Sequence, residues 1–374
     1  MVQDAGSRLL VARRRLHDVR VAPDPDAPAA RPLADGEARL AIDRFALTAN
    51  NITYAAFGDA MQYWQFFPTG EDDWGCVPVW GFATVIESRA GGVPVGERVY
   101  GYLPMGTHLV VRPGHVKAAG FSDTQPHRAA LAAVYNQYLF CTADPAYEPA
   151  REGHHAVLKP LFTTAFLIDD FLAEAGFFGA AQVLLSSASS KTAYATAFCL
   201  SRRRERPRIV GLTSAANLAF AQSLGCYDTL HAYDAVPGLD PAVPTVYVDF
   251  AGSTSLRRAV HERFDERLAY SCAVGGTHWG ALGGAGRLPG PKPELFFAPA
   301  QVRKRRAPPP EGWGADGLNL RLGEAWQAFI DRVDGASPPW LKIRHQRGAA
   351  AVEAAYRQML DGKADAREGL MLSL

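Results

Sequence analysis

Three short apolar segments between residues 182 and 251 constrain the fold of this chain more than any other feature. They are QVLLSS, PRIVGLTS and PTVYVDFAG, and each leads into a polar turn. Stretches with apolar residues at helical spacing, TAYATAFCLSRR, ANLAFAQSLG and LRRAVHERFDERL, alternate with them. Buried strands that alternate with helices are typical of a parallel sheet with helices on both faces. We therefore predict a doubly wound α/β domain over residues 127–290, in which LAYSCAVGGTHW supplies a further strand.

The chain before residue 127 has a different pattern. Short apolar runs separated by turns, among them ARLAIDRFAL, VWGFATVIES, ERVYGYL and THLVVRP, predict strands of a β-barrel or sandwich over residues 1–126. Helical spacing begins in HRAALAAVYNQYLF and TTAFLIDDFLAEAGF, and it resumes in LGEAWQAFIDRV and AAAVEAAYRQMLDG within residues 291–374. At 374 residues the chain is long enough for two domains.

The bulk composition argues against several classes of protein. A formal net charge of +1 gives no electrostatic basis for binding nucleic acid. No apolar run approaches the roughly 18 residues that cross a bilayer, and arginines interrupt the N-terminal segment where a signal peptide needs an apolar core. Five cysteines, far apart in sequence, predict neither a disulfide framework nor a zinc ribbon. We expect a cytoplasmic protein that binds a small-molecule substrate and neither nucleic acid nor membrane.

The turn after QVLLSS lies where a nucleotide-binding fold has its glycine-rich phosphate loop. It contains no glycine: Ser186, Ser187, Ala188, Ser189 and Ser190 precede Lys191 and Thr192. Serine and alanine are the next smallest residues, and hydroxyl groups, a lysine and the N–H groups of a helix N-terminus bind phosphate. A serine-capped helix after a buried strand explains the same residues. Both interpretations stay open, and the candidate cofactor contacts are Ser187, Ser189, Ser190, Lys191 and Thr192.

The end of the next strand bears on which cofactor such a loop would bind. An NAD-binding unit places an acidic residue there, on the ribose hydroxyl, whereas PRIVGLTS ends at Thr213 and Ser214. A carboxylate would repel the 2′-phosphate of NADP, but hydroxyl groups and a nearby cation accept it. Asn217, Lys191 and the arginines between 202 and 208 are candidates to complete that pocket. The sequence therefore favours NADP(H) over NAD.

The order of these segments resembles the medium-chain dehydrogenase/reductase superfamily over most of the chain. PVWGFATVIESRAGGVPVGERVYGYLPMGTHLVVRP is similar to that family's barrel signature, with a Gly-acid-Arg-Val step at residues 96–99. LGCYDTLHAYD, VYVDFAGS and AAVEAAYRQMLDGKADAREGLMLSL resemble its later segments in the same order. The resemblance implies a GroES-like catalytic β-barrel, built from both chain ends, around an inserted Rossmann domain. It also implies a cofactor between the two domains, a homodimer, and Gly252 beside the nicotinamide ribose.

The chain departs from the zinc-dependent members of that family. Their Gly-His-Glu step is replaced by Gly81, Phe82 and Ala83, and phenylalanine cannot bind zinc. The cysteine cluster of their structural zinc lobe is missing as well. We therefore expect no metal, and the resemblance narrows to a divergent branch of the zinc-independent quinone and enoyl reductases.

Candidate catalytic residues come from LTANNITYAAFGDAMQYWQFFPTGEDDWG, which resembles the family segment that lines the substrate cleft. Asn51 and Tyr54 match it best. A tyrosine hydroxyl can give a proton to an enolate or phenolate, and an asparagine can hold a carbonyl oxygen. In the alternative interpretation Asn51 makes a turn and Tyr54 packs with its hydroxyl at the surface. The aromatic group Tyr63, Trp64, Phe66 and Phe67 fits either core packing or an apolar substrate slot.

Other polar groups have weaker assignments. Gly276, Thr277 and His278 follow a strand end where backbone groups can approach the nicotinamide. Thr163–Thr164 resemble a family step near the nicotinamide and fit a helix cap equally well. Asp169–Asp170 are expected to face solvent or cap a turn, and the basic patch Arg303–Arg306 is expected to be a solvated loop.

These features support a zinc-independent NADP(H)-dependent oxidoreductase that transfers hydride to a carbonyl, enone or quinone. Two alternatives belong to other classes. One is a catalytically inactive cofactor-binding sensor or scaffold of the same fold, and the other is an accessory module that only binds an acyl or aromatic ligand.

Overall fold

The computed structural model describes residues 6–145, 147–275 and 287–374. The chain divides into two compact units. The β-rich unit comprises Met1–Val157 and Leu341–Leu374, and the parallel-sheet unit comprises Leu158–Trp340. One unit is thus inserted in the sequence of the other, as the resemblance implied.

The strands of the described residues are β1 (Ser7–Ala12), β2 (Arg15–Pro23), β3 (Ala38–Leu47), β4 (Trp74–Gly75), β5 (Pro78–Ser88), β6 (Arg98–Pro104), β7 (His108–Val111), β8 (Pro113–Lys117), β9 (Gly120–Asp123), β10 (Gln137–Phe140), β11 (Gln182–Leu185), β12 (Arg208–Thr213), β13 (Thr229–Ala232), β14 (Thr245–Asp249), β15 (Leu268–Ala273), β16 (Glu294–Leu295), β17 (Lys342–Arg347) and β18 (Glu368–Ser373). The helices are α1 (Ala49–Ala56), α2 (Glu152–Glu174), α3 (Lys191–Ser201), α4 (Leu218–Ser223), α5 (Thr254–Phe264), α6 (Ala298–Arg306), α7 (Gly314–Gly335) and α8 (Ala349–Leu360).

The β-rich unit contains a nine-stranded sheet in the order β17-β18-β3-β5-β6-β10-β9-β8, with β7 paired to β3, and a small sheet β2-β1-β4. The last strand of the chain, β18, lies antiparallel to β3. Both chain ends therefore share one sheet. The predicted strands ARLAIDRFAL, VWGFATVIES and ERVYGYL are confirmed as β3, β5 and β6, which pair antiparallel in that order.

The parallel-sheet unit contains six strands in the order β13-β12-β11-β14-β15-β16, all parallel. This is the doubly wound order, in which the chain starts at the centre, runs to one edge and then returns to build the other half. Apolar residues of β11, β12 and β14 pack with α5 in its core, and the side chains of Leu184, Leu212 and Val260 are fully buried. The predicted parallel sheet is confirmed.

The stretch HRAALAAVYNQYLF was predicted to be helical, and this prediction is wrong. Two 3₁₀ turns, Pro126–Arg128 and Ala133–Asn136, lead into β10. The strand β10 pairs with β6 on one side and β9 on the other. Filling the gap between two strands outweighs the helical spacing of its apolar residues. For this reason the first boundary lies at residue 157 rather than 126.

The second boundary also differs, at residue 340 rather than 290. Helix α7 carries Phe329, whose ring stacks 4.8 Å from that of Phe162 on α2. Arg305 on α6 is paired with Asp170, also on α2. Both helices after residue 290 therefore belong to the core of the parallel-sheet unit. Within the described parts of the chain, no helix has the length and apolar character needed to cross a membrane.

Candidate functional site

The glycine-free turn, residues 186–190, lies at the carboxyl end of β11, the strand at which the sheet order reverses. Its neighbours are β12 on one side and β14 on the other. In open α/β sheets, ligands bind outside the carboxyl ends of the strands at this reversal point. The predicted loop is therefore in the position where the fold binds ligands.

Ser187 takes the backbone conformation that glycine usually provides. Its φ angle is 50°, in the left-handed region, which costs an L-residue roughly 1–2 kcal/mol. The side chain is 8 % exposed, and its hydroxyl lies 3.4 Å from that of Tyr233. The tight turn of a phosphate loop is thus present without glycine.

Ser186 organises the loop through its hydroxyl. The Oγ atom accepts hydrogen bonds from the backbone N–H groups of Phe250 (2.8 Å) and Ala251 (3.0 Å), and it donates one to Asp249 Oδ1 (3.0 Å). The side chain is completely buried. One hydroxyl therefore ties the end of β11 to the residues that follow β14.

Asp249 continues this network, and the sequence analysis did not identify it. Its Oδ1 accepts a hydrogen bond from the N–H of Gly252 (3.0 Å), and its Oδ2 is paired with Arg257 (2.8 Å). The carboxylate is 1 % exposed. Aspartate at the last position of an otherwise apolar strand was a signal in the sequence, because buried carboxylates are rarely left unpaired.

Ser189, Ser190 and Thr213 also form internal hydrogen bonds. The Thr213 hydroxyl, 1 % exposed, donates to Ser189 Oγ (3.1 Å). Ser190 caps α3 by accepting a hydrogen bond from the N–H of Ala193 (3.4 Å). The capping interpretation is therefore correct for Ser190, and Thr213 is positioned to support the loop from β12.

Three backbone N–H groups of this region remain available. Among the described residues, those of Ser187, Ser189 and Thr192 have no acceptor. Lys191 and Thr192 form the first residues of α3 and are partly exposed. Donors at the start of a helix, with the positive end of its dipole, suit an anion.

Ser214 and Asn217 lie beyond the end of β12, where both are partly exposed. The N–H of Asn217 donates to the Ser214 carbonyl (2.9 Å) in a short 3₁₀ turn. No acidic residue occurs between residues 213 and 218. Gly252 is buried with a φ angle of +67°, whereas Gly276, Thr277 and His278 lie outside the described residues.

The arginines between 202 and 208 do not belong to this site. They precede β12, so they lie at the opposite end of the strand from Ser214. Arg203 is paired with Asp169 (2.7 Å), and Arg206 with Asp228 (2.5 Å). Their assignment to a 2′-phosphate pocket is wrong, because a strand of six residues separates them from its carboxyl end.

Asn51 has a structural role that the sequence analysis assigned to substrate binding. Its Oδ1 accepts a hydrogen bond from the N–H of Thr48 (2.7 Å) in a capping box at the start of α1. Its Nδ2 donates to the carbonyl of Pro78 (2.8 Å). The amide thus anchors α1 to β5, and it is 3 % exposed.

Tyr54 lies in a cluster of aromatic side chains in the β-rich unit. Its ring centroid is 4.5 Å from that of Tyr63, 5.6 Å from Tyr102 and 6.2 Å from Tyr135. Burial raises the pKa of the Tyr54 hydroxyl well above its ordinary value, and Tyr63 adds to the effect. The hydroxyl therefore stays protonated, but it is not at the surface.

The neighbouring aromatic group is core packing. The exposed fractions of Tyr63, Trp64, Phe66 and Phe67 lie between 2 % and 6 %. Phe82, which the resemblance aligned with a zinc-binding histidine, is completely buried in β5. No group of three or more metal-binding side chains occurs in the part of the chain that the structure describes.

Three weaker assignments are corrected on α2 and α6. Thr163 and Thr164 lie inside α2, where their hydroxyls donate to carbonyls one turn earlier. Asp169 and Asp170 are each 6 % exposed rather than solvated. The basic patch is helical, and Arg305 is paired with Asp170 (2.6 Å).

Solved structures with the same fold span almost the whole chain. The CurA protein from Vibrio vulnificus, in complex with NADPH, is 13 % identical with a TM-score of 0.58, and 98 % of each chain is covered. The yhdH oxidoreductase from Salmonella enterica, in complex with NADP, is 11 % identical with a TM-score of 0.53 and covers 98 % of this chain and 99 % of that one. The quinone oxidoreductase from Coxiella burnetii is 12 % identical, has a TM-score of 0.50 and covers 99 % of each chain.

Two of these neighbours are named as oxidoreductases, one of them as a quinone oxidoreductase. The predicted architecture, a GroES-like domain with a Rossmann domain, is confirmed at the level of the fold. No curated protein matches the sequence. Residues 45–365 match a family model described as "Protein of unknown function (DUF2855)". The chain belongs to that family.

Proposed function

We propose that this protein is a zinc-independent oxidoreductase that binds NADP(H) at the loop of residues 186–190. The observation that carries the proposal is the set of three N–H groups without acceptors, at Ser187, Ser189 and Thr192. They lie at the carboxyl end of the central strand, where this fold binds ligands. Two structures of the same fold contain NADPH or NADP.

The residues of the loop fit a dinucleotide diphosphate. Small side chains allow close approach to the backbone, and Ser187 already holds the left-handed turn. The N–H groups of Ser189 and Thr192 would hold phosphate oxygens, and Lys191 would add a positive charge. Gly252 would leave room beside the ribose on the β14 side.

The preference for a 2′-phosphate depends on the end of β12. Ser214 and Asn217 are partly exposed and can hydrogen bond to phosphate oxygens. Thr213 is less suited to this role, because its buried hydroxyl is directed to Ser189. No carboxylate follows β12 to repel the phosphate.

The bound nicotinamide would supply a hydride to a carbonyl, enone or quinone. Tyr54 is the proposed proton donor, because its hydroxyl stays protonated over the whole physiological pH range. Asn51 is proposed to position α1, and with it Tyr54, through its contacts with Thr48 and Pro78.

A cofactor-binding sensor without turnover is the second candidate. Burial of Tyr54, at 5 % exposure, and the internal hydrogen bonds of Asn51 favour it. In this case the loop would bind NADP(H) in the same way, and no substrate would be reduced.

A homodimer is proposed through the edge strand β16, the outermost strand of the parallel sheet. Leu295 on this strand is 63 % exposed and Phe297 beside it is 40 % exposed. An unpaired strand edge with apolar side chains favours pairing with a second copy.

The test of cofactor binding is calorimetry of the full chain with NADPH and with NADH. Thr192→Pro removes one of the free N–H groups at a place where proline is tolerated, the first turn of a helix. Thr192→Ala keeps that group and is the matched control. We expect T192P to weaken NADPH binding at least about tenfold, since a hydrogen bond to a charged group contributes about 1.5–3 kcal/mol, and T192A to bind nearly as the wild type. Absence of heat with both nucleotides would refute the proposal.

Turnover is tested separately with a panel of quinones and enones, by following the loss of NADPH absorbance. Reduction of any member, with a lower rate in Tyr54→Phe, supports the reductase. Binding of NADPH without reduction across the panel supports the sensor.

A further inference from the structure

A left-handed turn of four residues connects α2 to β11. The φ angles of Gly176, Phe177, Phe178 and Gly179 are 56°, 51°, 53° and 71°. Two consecutive phenylalanines in this region are unusual, because it suits glycine and strains L-residues. Such strain persists only where surrounding contacts enforce it, and it is concentrated at functional sites.

The two phenylalanines have different surroundings. Phe178 stacks on Tyr270 with ring centroids 4.2 Å apart and planes 6° apart, and it also contacts Phe171. Its conformation is therefore explained by packing.

Results

Sequence analysis

Three short apolar segments between residues 182 and 251 constrain the fold of this chain more than any other feature. They are QVLLSS, PRIVGLTS and PTVYVDFAG, and each leads into a polar turn. Stretches with apolar residues at helical spacing, TAYATAFCLSRR, ANLAFAQSLG and LRRAVHERFDERL, alternate with them. Buried strands that alternate with helices are typical of a parallel sheet with helices on both faces. We therefore predict a doubly wound α/β domain over residues 127–290, in which LAYSCAVGGTHW supplies a further strand.

The chain before residue 127 has a different pattern. Short apolar runs separated by turns, among them ARLAIDRFAL, VWGFATVIES, ERVYGYL and THLVVRP, predict strands of a β-barrel or sandwich over residues 1–126. Helical spacing begins in HRAALAAVYNQYLF and TTAFLIDDFLAEAGF, and it resumes in LGEAWQAFIDRV and AAAVEAAYRQMLDG within residues 291–374. At 374 residues the chain is long enough for two domains.

The bulk composition argues against several classes of protein. A formal net charge of +1 gives no electrostatic basis for binding nucleic acid. No apolar run approaches the roughly 18 residues that cross a bilayer, and arginines interrupt the N-terminal segment where a signal peptide needs an apolar core. Five cysteines, far apart in sequence, predict neither a disulfide framework nor a zinc ribbon. We expect a cytoplasmic protein that binds a small-molecule substrate and neither nucleic acid nor membrane.

The turn after QVLLSS lies where a nucleotide-binding fold has its glycine-rich phosphate loop. It contains no glycine: Ser186, Ser187, Ala188, Ser189 and Ser190 precede Lys191 and Thr192. Serine and alanine are the next smallest residues, and hydroxyl groups, a lysine and the N–H groups of a helix N-terminus bind phosphate. A serine-capped helix after a buried strand explains the same residues. Both interpretations stay open, and the candidate cofactor contacts are Ser187, Ser189, Ser190, Lys191 and Thr192.

The end of the next strand bears on which cofactor such a loop would bind. An NAD-binding unit places an acidic residue there, on the ribose hydroxyl, whereas PRIVGLTS ends at Thr213 and Ser214. A carboxylate would repel the 2′-phosphate of NADP, but hydroxyl groups and a nearby cation accept it. Asn217, Lys191 and the arginines between 202 and 208 are candidates to complete that pocket. The sequence therefore favours NADP(H) over NAD.

The order of these segments resembles the medium-chain dehydrogenase/reductase superfamily over most of the chain. PVWGFATVIESRAGGVPVGERVYGYLPMGTHLVVRP is similar to that family's barrel signature, with a Gly-acid-Arg-Val step at residues 96–99. LGCYDTLHAYD, VYVDFAGS and AAVEAAYRQMLDGKADAREGLMLSL resemble its later segments in the same order. The resemblance implies a GroES-like catalytic β-barrel, built from both chain ends, around an inserted Rossmann domain. It also implies a cofactor between the two domains, a homodimer, and Gly252 beside the nicotinamide ribose.

The chain departs from the zinc-dependent members of that family. Their Gly-His-Glu step is replaced by Gly81, Phe82 and Ala83, and phenylalanine cannot bind zinc. The sequence also lacks the cysteine cluster of their structural zinc lobe. We therefore expect no metal, and the resemblance narrows to a divergent branch of the zinc-independent quinone and enoyl reductases.

Candidate catalytic residues come from LTANNITYAAFGDAMQYWQFFPTGEDDWG, which resembles the family segment that lines the substrate cleft. Asn51 and Tyr54 match it best. A tyrosine hydroxyl can give a proton to an enolate or phenolate, and an asparagine can hold a carbonyl oxygen. In the alternative interpretation Asn51 makes a turn and Tyr54 packs with its hydroxyl at the surface. The aromatic group Tyr63, Trp64, Phe66 and Phe67 fits either core packing or an apolar substrate slot.

Other polar groups have less specific assignments. Gly276, Thr277 and His278 follow a strand end where backbone groups can approach the nicotinamide. Thr163–Thr164 resemble a family step near the nicotinamide and fit a helix cap equally well. Asp169–Asp170 are expected to face solvent or cap a turn, and the basic patch Arg303–Arg306 is expected to be a solvated loop.

These features support a zinc-independent NADP(H)-dependent oxidoreductase that transfers hydride to a carbonyl, enone or quinone. Two alternatives belong to other classes. One is a catalytically inactive cofactor-binding sensor or scaffold of the same fold, and the other is an accessory module that only binds an acyl or aromatic ligand.

Overall fold

The computed structural model describes residues 6–145, 147–275 and 287–374. The chain divides into two compact units. The β-rich unit comprises Met1–Val157 and Leu341–Leu374, and the parallel-sheet unit comprises Leu158–Trp340. One unit is thus inserted in the sequence of the other, as the resemblance implied.

The strands of the described residues are β1 (Ser7–Ala12), β2 (Arg15–Pro23), β3 (Ala38–Leu47), β4 (Trp74–Gly75), β5 (Pro78–Ser88), β6 (Arg98–Pro104), β7 (His108–Val111), β8 (Pro113–Lys117), β9 (Gly120–Asp123), β10 (Gln137–Phe140), β11 (Gln182–Leu185), β12 (Arg208–Thr213), β13 (Thr229–Ala232), β14 (Thr245–Asp249), β15 (Leu268–Ala273), β16 (Glu294–Leu295), β17 (Lys342–Arg347) and β18 (Glu368–Ser373). The helices are α1 (Ala49–Ala56), α2 (Glu152–Glu174), α3 (Lys191–Ser201), α4 (Leu218–Ser223), α5 (Thr254–Phe264), α6 (Ala298–Arg306), α7 (Gly314–Gly335) and α8 (Ala349–Leu360).

The β-rich unit contains a nine-stranded sheet in the order β17-β18-β3-β5-β6-β10-β9-β8, with β7 paired to β3, and a small sheet β2-β1-β4. The strand β18, near the end of the chain, lies antiparallel to β3. Segments from both parts of the chain therefore share one sheet. The predicted strands ARLAIDRFAL, VWGFATVIES and ERVYGYL are confirmed as β3, β5 and β6, which pair antiparallel in that order.

The parallel-sheet unit contains six strands in the order β13-β12-β11-β14-β15-β16, all parallel. This is the doubly wound order, in which the chain starts at the centre, runs to one edge and then builds the other half. Apolar residues of β11, β12 and β14 pack with α5 in its core, where the side chains of Leu184, Leu212 and Val260 are fully buried. The predicted parallel sheet is confirmed.

The stretch HRAALAAVYNQYLF was predicted to be helical, and this prediction is wrong. Two 3₁₀ turns, Pro126–Arg128 and Ala133–Asn136, lead into β10. The strand β10 pairs with β6 on one side and β9 on the other. Pairing between two strands outweighs the helical spacing of its apolar residues. For this reason the first boundary lies at residue 157 rather than 126.

The second boundary also differs, at residue 340 rather than 290. Helix α7 carries Phe329, whose ring stacks 4.8 Å from that of Phe162 on α2. Arg305 on α6 is paired with Asp170, also on α2. Both helices after residue 290 therefore belong to the parallel-sheet unit. Within the described parts of the chain, no helix has the length and apolar character needed to cross a membrane.

Candidate functional site

The glycine-free turn, residues 186–190, lies at the carboxyl end of β11, next to the point at which the sheet order reverses. The neighbours of β11 are β12 on one side and β14 on the other. In open α/β sheets, ligands bind outside the carboxyl ends of the strands at this reversal point. The predicted loop is therefore in the position where the fold binds ligands.

Ser187 takes the backbone conformation that glycine usually provides. Its φ angle is 50°, in the left-handed region, which costs an L-residue roughly 1–2 kcal/mol. The residue is 8 % exposed, and its hydroxyl lies 3.4 Å from that of Tyr233. The tight turn of a phosphate loop is thus present without glycine.

Ser186 organises the loop through its hydroxyl. The Oγ atom accepts hydrogen bonds from the backbone N–H groups of Phe250 (2.8 Å) and Ala251 (3.0 Å), and it donates one to Asp249 Oδ1 (3.0 Å). Ser186 is completely buried. One hydroxyl therefore ties the end of β11 to the residues that follow β14.

Asp249 continues this network and was not predicted from the sequence. Its Oδ1 accepts a hydrogen bond from the N–H of Gly252 (3.0 Å), and its Oδ2 is paired with Arg257 (2.8 Å). The residue is 1 % exposed. The sequence does indicate this residue, because Asp249 ends an otherwise apolar strand and a buried carboxylate requires a partner.

Ser189, Ser190 and Thr213 also form internal hydrogen bonds. The hydroxyl of Thr213, a residue that is 1 % exposed, donates to Ser189 Oγ (3.1 Å). Ser190 caps α3 by accepting a hydrogen bond from the N–H of Ala193 (3.4 Å). The capping interpretation therefore holds for Ser190, and Thr213 supports the loop from β12.

Three backbone N–H groups of this region remain available. Among the described residues, those of Ser187, Ser189 and Thr192 have no acceptor. Lys191 and Thr192 are the first residues of α3 and are partly exposed. Donors at the start of a helix, with the positive end of its dipole, suit an anion.

Ser214 and Asn217 lie beyond the end of β12, where both are partly exposed. The N–H of Asn217 donates to the Ser214 carbonyl (2.9 Å) in a short 3₁₀ turn. The sequence has no acidic residue between 213 and 218. Gly252 is buried with a φ angle of +67°, whereas Gly276, Thr277 and His278 lie outside the described residues.

The arginines between 202 and 208 do not belong to this site. They precede β12 or begin it, so they lie at the opposite end of the strand from Ser214. Arg203 is paired with Asp169 (2.7 Å), and Arg206 with Asp228 (2.5 Å). Their assignment to a 2′-phosphate pocket is wrong, because the six-residue strand separates them from its carboxyl end.

Asn51 has a structural role at the position predicted to bind substrate. Its Oδ1 accepts a hydrogen bond from the N–H of Thr48 (2.7 Å) in a capping box at the start of α1. Its Nδ2 donates to the carbonyl of Pro78 (2.8 Å). The amide thus anchors α1 to β5, and the residue is buried.

Tyr54 lies in a cluster of aromatic side chains in the β-rich unit. Its ring centroid is 4.5 Å from that of Tyr63, 5.6 Å from Tyr102 and 6.2 Å from Tyr135. Burial raises the pKa of the Tyr54 hydroxyl well above its ordinary value, and Tyr63 adds to the effect. The hydroxyl therefore stays protonated, but it is not at the surface.

The neighbouring aromatic group packs in the core. Tyr63, Trp64, Phe66 and Phe67 are all buried. Phe82, which the resemblance aligned with a zinc-binding histidine, is also buried and lies in β5. No group of three or more metal-binding side chains occurs in the part of the chain that the structure describes.

Three further assignments are corrected on α2 and α6. Thr163 and Thr164 lie inside α2, where their hydroxyls donate to carbonyls one turn earlier. Asp169 and Asp170 are buried rather than solvated. The basic patch is helical, and its Arg305 is paired with Asp170 (2.6 Å).

Solved structures with the same fold span almost the whole chain. CurA from Vibrio vulnificus, in complex with NADPH, is 13 % identical with a TM-score of 0.58, and 98 % of each chain is covered. The yhdH oxidoreductase from Salmonella enterica, in complex with NADP, is 11 % identical with a TM-score of 0.53 and covers 98 % of this chain and 99 % of that one. The quinone oxidoreductase from Coxiella burnetii is 12 % identical, has a TM-score of 0.50 and covers 99 % of each chain.

Two of these neighbours are named as oxidoreductases, one of them as a quinone oxidoreductase. The predicted architecture, a GroES-like domain with a Rossmann domain, is confirmed at the level of the fold. No curated protein matches the sequence. Residues 45–365 match a family model described as "Protein of unknown function (DUF2855)". The chain therefore belongs to this family.

Proposed function

We propose that this protein is a zinc-independent oxidoreductase that binds NADP(H) at the loop of residues 186–190. The observation that carries the proposal is the set of N–H groups at Ser187, Ser189 and Thr192, which have no acceptor among the described residues. They lie at the carboxyl end of a central strand, where this fold binds ligands. Two structures of the same fold are complexes with NADPH or NADP.

The residues of the loop fit a dinucleotide diphosphate. Small side chains allow close approach to the backbone, and Ser187 already holds the left-handed turn. The N–H groups of Ser189 and Thr192 would hold phosphate oxygens, and Lys191 would add a positive charge. Gly252, which has no side chain, would leave room for the ribose on the β14 side.

The preference for a 2′-phosphate depends on the end of β12. Ser214 and Asn217 are partly exposed and can hydrogen bond to phosphate oxygens. Thr213 is less suited to this role, because its buried hydroxyl is directed to Ser189. The sequence places no carboxylate at residues 214–218 to repel the phosphate.

The bound nicotinamide would supply a hydride to a carbonyl, enone or quinone. Tyr54 is the proposed proton donor, because its raised pKa keeps the hydroxyl protonated at physiological pH. Asn51 is proposed to position α1, and with it Tyr54, through its contacts with Thr48 and Pro78.

A cofactor-binding sensor without turnover is the second candidate. The burial of Tyr54, at 5 % exposure, and the internal hydrogen bonds of Asn51 favour it. In this case the loop would bind NADP(H) in the same way, and no substrate would be reduced.

A homodimer is proposed through β16, the outermost strand of the parallel sheet among the described residues. Leu295 on this strand is 63 % exposed and Phe297 beside it is 40 % exposed. The edge of a sheet with exposed apolar side chains favours pairing with a second copy.

Cofactor binding is tested by calorimetry of the full chain with NADPH and with NADH. Thr192→Pro removes one of the free N–H groups in the first turn of a helix, where proline is tolerated. Thr192→Ala keeps that group and is the matched control. We expect T192P to weaken NADPH binding at least about tenfold, since a hydrogen bond to a charged group contributes about 1.5–3 kcal/mol, and T192A to bind nearly as the wild type. Absence of heat with both nucleotides would refute the proposal.

Turnover is tested separately with a panel of quinones and enones, by following the loss of NADPH absorbance. Reduction of any member, with a lower rate in Tyr54→Phe, supports the reductase. Binding of NADPH without reduction across the panel supports the sensor.

A further inference from the structure

A left-handed turn of four residues connects α2 to β11. The φ angles of Gly176, Phe177, Phe178 and Gly179 are 56°, 51°, 53° and 71°. Two consecutive phenylalanines in this region are unusual, because the conformation suits glycine and strains L-residues. Such strain persists only where the surrounding structure enforces it, and it is concentrated at functional sites.

The two phenylalanines have different surroundings. Phe178 stacks on Tyr270 with ring centroids 4.2 Å apart and planes 6° apart, and it also contacts Phe171. Packing therefore accounts for its conformation. Phe177 contacts no other aromatic ring among the described residues, and instead it lines a cavity of about 540 Å³.

The same cavity is lined by a basic segment. Arg203 and Arg206 contribute to its wall together with Glu205. Arg203 is paired with Asp169, and Arg206 is paired with Asp228. The wall of the cavity itself thus has two guanidinium groups and one carboxylate.

Each of the two lining arginines keeps a free donor. Arg203 binds Asp169 through Nε and Nη2, and Arg206 binds Asp228 through Nη1 and Nη2. Among the described residues, no acceptor contacts Arg203 Nη1 or Arg206 Nε. Guanidinium groups that are held by ion pairs and retain free N–H groups are suited to a phosphate.

We propose that this cavity binds a small phosphate monoester that carries a planar ring. The ring packs on Phe177, and the phosphate accepts hydrogen bonds from Arg203 and Arg206. The site lies at the amino ends of β11 and β12, the opposite ends from the loop of residues 186–190. It is therefore separate from the proposed cofactor site, and it does not depend on that proposal.

The test uses calorimetry of the full chain with phenyl phosphate and AMP, each with and without NADPH. Ribose 5-phosphate, which has no aromatic ring, and phenol, which has no phosphate, are the control ligands. Phe177→Gly removes the ring from the cavity and relieves the backbone strain, so this variant is expected to melt at a higher temperature than the wild type. Phe178→Gly makes the same backbone change beside the cavity and is the matched control.

We expect phenyl phosphate and AMP to bind the wild type in the presence of NADPH, with at least tenfold weaker binding of both control ligands. F177G should lose at least tenfold in affinity, and F178G should retain it. A failure of both ring phosphates to bind at millimolar concentration would overturn the proposal. The proposal would also be overturned if F177G and the wild type had equal affinity, or if F177G and F178G lost equal affinity. Displacement of both probes by NADPH would overturn it too, because it would assign their binding to the cofactor site.

Discussion

Replacing Ser186 by alanine is the most direct test of how the loop is built. The side chain contributes one acceptor and one donor at the carboxyl end of β11, and the residue is completely buried. Ser186→Ala removes the acceptor of the N–H groups of Phe250 and Ala251 and the donor to Asp249. The change deletes a single oxygen atom, so packing is otherwise preserved.

The expected magnitude follows from the groups that lose their partner. Phe250 and Ala251 are both buried, so their N–H groups cannot turn to bulk water. A buried donor left without an acceptor costs about 1–3 kcal/mol, so the two together predict a loss of about 2–6 kcal/mol in the free energy of unfolding. Ser190→Ala removes a helix cap in the same loop and should cost only about 1 kcal/mol.

Two measurements check this prediction. Urea denaturation gives the free energy of unfolding of the parallel-sheet unit in each variant. Hydrogen exchange then locates the effect, because the amides of Phe250 and Ala251 should exchange faster in S186A and not in S190A. If S186A loses no more stability than S190A, or if exchange at these amides is unchanged, the hydroxyl does not organise the loop.

Three further predictions concern the loop, the cofactor preference and the response to acid. Ser187→Gly should raise the free energy of unfolding by up to about 1 kcal/mol in urea denaturation, because relief of the left-handed strain exceeds the added chain entropy; a loss of stability would contradict this. Ser214→Asp should weaken NADPH binding about tenfold relative to NADH binding in calorimetry, since a carboxylate repels the 2′-phosphate. The control Gln222→Glu makes the same charge change at an exposed residue of α4 and should affect the binding of neither nucleotide. Equal effects of the two variants would remove Ser214 from the site. Burial opposes ionisation of Glu152, but hydrogen bonds from Arg98 and Tyr147 outweigh this effect and lower the pKa of the carboxyl below 4.5. The stabilisation by the Glu152 carboxylate is therefore present above pH 4.5 and is lost as the pH falls through the lowered pKa. Glu152→Gln should cost about 1–3 kcal/mol in the free energy of unfolding at neutral pH, and the unfolding curves of the variant and the wild type should converge in acid.

The sheet of the parallel-sheet unit was predictable because its signal is local. The strands β11, β12 and β14 are continuous apolar runs, and each ends at small or polar residues that cannot extend the buried segment. The alternation with helices then leaves few possible topologies. The position of the serine loop followed from the same pattern, since it depends only on which strand comes first.

Partners distant in sequence were not predictable in this way. Ser186 and Asp249 are 63 residues apart, and nothing near either residue indicates the other. The arginines at 203 and 206 were placed at the wrong end of β12, because a charge count does not say where a strand begins. Likewise, β10 was mistaken for a helix since only its pairing with β6 and β9 makes it a strand.

The catalytic assignment shows a different limit of the sequence. Residue types suited to chemistry are also suited to structure, and the contacts decide between the two. The Asn51 amide oxygen accepts a hydrogen bond from Thr48, and its nitrogen donates one to Pro78. The amide therefore has little capacity left to bind a substrate oxygen. Tyr54 retains a hydroxyl that stays protonated, so of these two residues Tyr54 remains the candidate donor.

The serines of the loop have a different role from the one that their chemistry first suggested. Hydroxyls were expected to replace glycine by binding phosphate, yet those of Ser186, Ser189 and Ser190 all take part in internal hydrogen bonds. The groups left free are backbone N–H groups, the same donors that a glycine-rich loop offers. A loop with glycine allows its backbone to approach a phosphate because no side chain intervenes. In this chain, hydrogen bonds from β12 and β14 hold the small side chains away from the backbone N–H groups, so these donors stay available. It follows that the absence of glycine does not by itself argue against a dinucleotide site, provided that the strands on both sides supply the restraints.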